Sequence, residues 1–217
     1  MRVLIVGATG RTGRAAVVAA VAAGHEVRAF ARSAAQTAWP AGVTAWPGDA
    51  CDPAAVSAAV TGVDAVIVAL SMVRASDWPW ARILTPLDLH TRAARALTAA
   101  CADAGVRRYL TLSAQGVGDA ASRAGWAFLA LVRASNIGVA YDELGRAEAL
   151  VAASGLDWTI VRPTRLTQAP GTGRWRADPQ LVTTSWDRIP RDDVAAYLVQ
   201  ALTATDAVGE RVSLTGA

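Results

Sequence analysis

Gly7, Gly10 and Gly13 stand at intervals of three residues, behind the apolar run Val3-Leu4-Ile5-Val6 and ahead of an alanine- and valine-rich stretch, 15–23, that stops at Gly24. The order reads as strand, tight turn and helix. Gly7 permits the turn, Gly10 leaves the backbone open to a close ligand, and Gly13 lets the helix press against the strand. The free N–H groups of a helix start face such a turn, and the helix dipole favours negative charge there. The expected chemistry is the cradling of a pyrophosphate, as in a dinucleotide. A glycine-rich structural turn without a ligand is the other reading of the same residues.

Other chemistries find less support. All 21 basic residues are arginine, spread along the chain rather than clustered among aromatics, so no nucleic-acid surface is expected. His25 and His90 are far apart and have no neighbouring cysteine or acidic cluster, so no metal site is expected, and both read as surface residues. Cys51 and Cys101 do not make a disulfide framework and read as free, buried thiols of a reducing compartment.

The elements that must position the turn follow from the rest of the 217 residues, 53% of them hydrophobic. No apolar run approaches the roughly 18 residues needed to span a bilayer. The first apolar run is a strand rather than a leader, so a cytoplasmic protein is expected. Strands are expected at 2–6, 26–32, 43–46, 63–70, 106–113, 156–161 and 210–215, and helices at 12–23, 53–62, 86–104, 142–153 and 191–203. Asp52-Pro53 is a helix start, with the aspartate as cap and the proline in the first turn. Alternating strands and helices predict an α/β fold over 1–217, a doubly wound parallel sheet of Rossmann type with helices on both faces. Three stretches break the rhythm, 71–85, 114–140 and 165–190, the last a small C-terminal substrate-side region. Each follows a strand, at the edge where such sheets bind ligands. They hold Trp78, Trp80, Trp126, Trp175 and Trp186, five of the eight tryptophans. Those rings can line a pocket for an aromatic or apolar small molecule, or can close the cores of their own loops.

Further motifs accompany the glycine turn. They are Val-Arg-Ala-Phe-Ala-Arg (27–32), Gly-Asp-Ala-Cys-Asp (48–52), Gly-Val-Asp-Ala-Val-Ile (62–67), Arg-Tyr-Leu-Thr-Leu-Ser-Ala (108–114), Ser-Gly-Leu-Asp-Trp-Thr-Ile-Val-Arg-Pro (154–163) and Ile-Pro-Arg-Asp-Asp-Val-Ala (189–195). Together they resemble the atypical short-chain dehydrogenase/reductases, and within them the NAD(P)H-binding group that includes biliverdin-IX beta reductase, a flavin reductase, and the nitrogen-metabolite-repression regulators. The resemblance spans nearly the whole chain and is specific in its cofactor half. It implies a phosphate loop of Gly7, Thr9, Gly10, Arg11, Thr12 and Gly13. It also implies that Asp49 and Ala50 border the adenine, that Ala69, Leu70 and Ser71 line the ribose side, and that Pro163 and Thr164 lie near the nicotinamide. Asp49 also reads as a plain turn aspartate.

Charge argues for NADP(H) over NAD(H). An NAD site places an acid at the end of the second strand, where this chain has Phe30-Ala31-Arg32-Ser33; Glu26 is at the wrong end. Arg32 and Arg11 can pair instead with a 2′-phosphate, while Arg28, earlier on the strand, reads as solvated. The family's main branch uses Ser, Tyr and Lys, but lysine is absent and Gly145 stands four residues after Tyr141. Arg146 is expected to pair with Asp142, and Glu148 to be a solvated helix residue. Ser113, at the family's serine position, and Tyr141 remain candidate catalytic groups; each also reads as structural. The expectation is an NADPH-dependent reductase of a quinone-like, flavin-like or polyketide carbonyl substrate, monomeric or homodimeric. The alternatives are a non-catalytic NADP(H) sensor and a redox-neutral cyclase or epimerase.

Overall fold

Residues 3–6 are all fully buried, because the strand Arg2–Val6 (β1) is covered on both faces. Strands in that position read as unbroken apolar runs rather than alternating ones. The computed structural model describes residues 1–76 and 78–217; Asp77, within the 71–85 segment, lies outside the described residues. After β1 come α1 (Arg11–Ala22), β2 (Glu26–Ala31), β3 (Val43–Pro47), α2 (Pro53–Val60), β4 (Ala65–Val68), α3 (Leu89–Asp103) and β5 (Arg108–Leu112). Then follow α4 (Trp126–Arg133), α5 (Asn136–Ala152), β6 (Asp157–Pro163), β7 (Arg165–Thr167), β8 (Trp175–Asp178), β9 (Arg188–Pro190), α6 (Arg191–Ala201) and β10 (Glu210–Gly216). The eight-stranded sheet runs β3-β2-β1-β4-β5-β6-β10-β8, and all its pairs are parallel except β10 with β8.

The side-chain alternation of β1 splits the core in two. Leu4 and Val6 pack with α2, α3 and α5 on one face, and Val3 and Ile5 with α1 and α6 on the other. This is the doubly wound architecture expected. Asp52 caps α2 as read, its carboxylate accepting from the Ala54 N–H at 3.0 Å, with Pro53 opening the helix. No helix among the described residues is long and apolar enough to cross a membrane.

Several local expectations are corrected. The helix expected at 142–153 begins at Asn136, capped by the Ser135 hydroxyl, and α4 occupies part of the stretch read as irregular. Part of 165–190 is spent on three short strands, two of which pair as β7 and β9. Arg28 is not solvated: it donates to the carbonyls of Ala59 and Thr61 and lies 4.2 Å over the Trp46 ring. Arg146 pairs with Glu143 at 2.8 Å rather than Asp142, because Glu143 sits on the buried face and also accepts from the Thr91 N–H.

Glu148 is likewise buried rather than solvated. Its two carboxylate oxygens accept from Nε and Nη2 of Arg162, a residue 1% exposed in β6, at 3.0 and 2.5 Å. Arg162 also reaches Asp119 at 2.8 Å, tying a 3-10 turn at Gly118–Arg123 to the sheet. Burial pushes the Asp119 carboxyl up, but the guanidinium groups of Arg162 and Arg123 outweigh it and hold it at about 2. Removing Glu148 leaves the buried Arg162 guanidinium with Asp119, whose side chain is largely exposed, so Glu148→Ala is expected to lower unfolding free energy by about 3 kcal/mol, the lower end for a broken buried pair. In the Glu148→Leu/Arg162→Met double variant most of that loss should return. Urea denaturation of the three proteins checks this; equal losses in the single and double variants would refute it.

Candidate functional site

The sheet order reverses across β1, with β2 on one side and β4 on the other, so a crevice opens beyond the carboxyl ends of these strands. The glycine turn lies at its floor. Gly7 adopts φ +78°, and its N–H donates to the Phe30 carbonyl at 2.9 Å, locking the turn to β2. A Cβ on Gly13 would overlap the Gly7 carbonyl oxygen, so α1 can start here only with glycine at that position. The N-cap, Gly10, offers no side chain to the helix N–H groups, and the first turn contains no acid but begins with Arg11. A cation at a helix N-terminus opposes the helix dipole unless an anion sits between them. An uncapped N-terminus with a guanidinium beside it therefore fits a pyrophosphate.

The crevice is a cleft of about 780 Å³. It gathers Gly7, Thr9, Gly10, Arg11, Thr12, Arg32, Asp49, Ala50, Ala69, Leu70, Ser71, Ser113 and Pro163. Gly13 lies beneath the turn instead. Thr164 faces β10, its hydroxyl 3.0 Å from that of Thr215. At the β2 end, Arg11, Arg32 and Ser33 line the wall, and the Ser33 hydroxyl donates to Thr9 Oγ1 at 3.2 Å. Asp49 is the turn aspartate of one reading, a carboxylate oxygen accepting from the Cys51 N–H at 2.9 Å, and the residue also lines the cleft. It is the only carboxylate residue among the described residues that does so.

Tyr141 lies outside the cleft lining. Its hydroxyl donates to the Gln115 carbonyl at 3.1 Å, its ring meets Phe128 edge-on, and burial pushes the phenol up, away from acid catalysis. The tryptophan-lined pocket is also corrected, since none of the five rings lines the cleft. Trp126 and Trp186 are 82% and 83% exposed. Trp78 and Trp80 pack against each other at 5.3 Å, and Trp175 meets Tyr197 edge-on. The segments carrying them fold into α4, into short strands, and around one another, which turns the rings away. Met72, Ile137 and Leu166 supply the apolar wall in their place.

The residue that the sequence reading missed is His90. Expected at the surface, it is buried and lines the cleft. Burial lowers its imidazole to about 4, against a smaller upward pull from Glu143, so the ring is neutral at pH 7. The signal was present in α3: His90, Ala93, Ala94, Leu97 and Cys101 follow helical spacing and are all buried. Near His90 stands Ser113, just past the end of β5, its hydroxyl buried without a hydrogen-bond partner among the described residues.

Comparison with known proteins fits this geometry. A family profile described as NAD(P)H-binding matches residues 7–205. YhfK of Bacillus subtilis (strain 168), described as an uncharacterized sugar epimerase, is 30% identical over 99% of this chain and 94% of its own length. Among solved structures, the oxidoreductase ylbE of Lactococcus lactis superposes with a TM-score of 0.82 at 23% identity, covering 100% of this chain and 91% of that one. ChuY of Escherichia coli O157:H7, described as an anaerobilin reductase, gives a TM-score of 0.76 at 26% identity, covering 99% and 96%.

The lowered imidazole of His90 makes stability pH-dependent. Between pH 6.5 and about 4 the unfolded chain binds the proton that the folded protein refuses. Stability is therefore fully present above 6.5 and falls as pH drops toward 4, by about 3 kcal/mol from this residue. Urea titrations at pH 7 and pH 4.5 should show the loss, and His90→Gln should shrink it; an identical slope in the variant would refute the assignment.

Proposed function

The chain belongs to the NAD(P)H-binding family, and from that premise we propose that it is an NADPH-dependent reductase of a quinone-like, flavin-like or polyketide carbonyl small molecule. When bound, the coenzyme supplies the hydride, and the protein's part is to position it, exclude water and manage the proton. The β2 end of the cleft suits the adenosine half. Arg11 and Arg32 flank it with no acid at the end of β2, a setting for a 2′-phosphate rather than a free ribose hydroxyl. From β2 to β5 is three strand spacings, about 14 Å, so an extended dinucleotide crossing the glycine turn would bring its nicotinamide toward Ser113, His90 and Pro163.

The observation that carries the reading is the composition of that far end. It holds neutral His90 and Ser113 among Leu70, Leu144 and Pro163, with no carboxylate or lysine. Such a site suits acceptors whose reduction can take its proton from water. The description of ChuY as a reductase lends support. The description of YhfK favours a redox-neutral epimerase, but that chemistry calls for a base beside the substrate carbon, and Glu148 is occupied by Arg162. A sensor that binds NADP(H) without turnover is the remaining alternative.

NADPH oxidation followed across a panel of quinones, flavins and aryl ketones tests the proposal. Oxidation with at least one class is expected; tight NADPH binding without oxidation by any would favour the sensor or the epimerase. Arg32→Ala should weaken NADPH by about 10- to 100-fold and leave NADH within about twofold, whereas Arg11→Ala, beside the pyrophosphate as well, should weaken both coenzymes but NADPH more. Equal weakening of both coenzymes would remove the arginines from 2′-phosphate recognition.

A further inference from the structure

Behind the cleft, between α3, β5 and α5, lies a second and much smaller cavity of about 20 Å³. That is room for one water molecule. Its polar wall consists of His90, Tyr109, Thr111, Ser113 and Glu148. Of these, only His90 and Ser113 also line the main cleft. The two residues therefore form the polar partition between the cleft and the cavity. The Ser113 hydroxyl is buried with no hydrogen-bond partner among the described residues. A buried hydroxyl left unpaired is costly, and a one-water cavity with polar walls supplies the missing partner.

We propose that Ser113 and His90, bridged by a single water in this cavity, hold and pass the proton that substrate reduction consumes, taking the place of the absent Tyr–Lys pair. The proposal rests on the reductase reading above. Reduction of a carbonyl breaks its π bond, adds hydride at carbon and adds a proton at oxygen. The hydride and its electron pair come from reduced nicotinamide, which leaves oxidised. The proton leaves Ser113 Oγ, and the serine retakes one from the water and His90, which solvent restores after product release. A neutral imidazole suits this passage, because one ring nitrogen donates while the other accepts. Burial keeps the ring in that form, with Glu143 and Glu148 of α5 and Tyr109 of β5 as the titratable groups packed nearby. Glu148 is held by Arg162 and is not needed as a proton source.

The test compares two probes that differ in their need for a proton. Hydride addition to an aryl ketone, 4-nitroacetophenone, would leave a strongly basic alkoxide unless the proton arrives with it. Hydride addition to menadione leaves a stabilised hydroquinone anion. With NADPH, Ser113→Ala and His90→Phe should lower kcat for the ketone about 100-fold. Menadione turnover should fall far less, and NADPH affinity should stay within about twofold of the unsubstituted protein. His90→Gln, whose amide can also donate and accept, should regain part of the ketone rate. Equal losses on both probes, or no recovery in the glutamine variant, would overturn the proposal and leave the pair a packing role. A second arm needs no turnover: in ¹⁵N-histidine-labelled protein the ring signals of His90 should move on Ser113→Ala. If no probe is reduced although NADPH binds, the reductase reading fails, and this arm alone decides the bridge; unmoved His90 signals would rule it out.

Discussion

The unsatisfied amino-terminal end of α1 is the constraint on which the rest of the molecule depends. Its N–H groups receive no side-chain cap from Gly10, no acid stands in its first turn, and Arg11 adds positive charge where the dipole already points. Left alone, that arrangement is unfavourable. It becomes coherent when an anion occupies the turn, and the fold is arranged to admit one. Gly7 turns the chain against Ala69 with no room for a Cβ, and Gly13 brings the helix onto the Gly7 carbonyl. The close fit of backbone on backbone leaves the cleft open above it.

The sheet makes this site possible by being buried on both faces. Residues of β1 alternate between two apolar clusters, so the strand cannot slip by one position without exchanging its faces. Its end, and therefore the glycine turn, is held in register by β2 and β4. Farther along, the Glu148–Arg162–Asp119 network joins α5, β6 and the 3-10 turn after β5, fixing the segment that follows Ser113. The two ends of the cleft thus rest on different interactions. The β2 end relies on backbone packing and carries exposed guanidinium groups, and the β5 end rests on a buried ion pair.

Features set by local spacing were legible in the sequence. The glycine turn, the seven large-sheet strands that became β1 to β6 and β10, the Asp52-Pro53 helix start and the basic end of β2 all follow from nearby residues, and the structure contains them. Features decided by tertiary packing were not. Glu148 looks like any exposed helix carboxylate until β6 brings Arg162 beneath it. His90 looks solvated until α3 is rotated so that its apolar stripe faces the core. The tryptophans failed in the opposite direction: their abundance suggested a pocket wall, but the stretches holding them fold locally and point Trp126 and Trp186 outward. Composition said what these residues are, and only the packing of their segments determines which way they face.

Isothermal titration calorimetry of the purified protein with NADPH, and separately with NADH, tests the central claim most directly. If the end of α1 holds a pyrophosphate and the arginines beside β2 grip a 2′-phosphate, both coenzymes release measurable heat and NADPH binds about tenfold or more tightly. Absence of heat with either coenzyme, or affinity for NADH equal to or greater than that for NADPH, would contradict it.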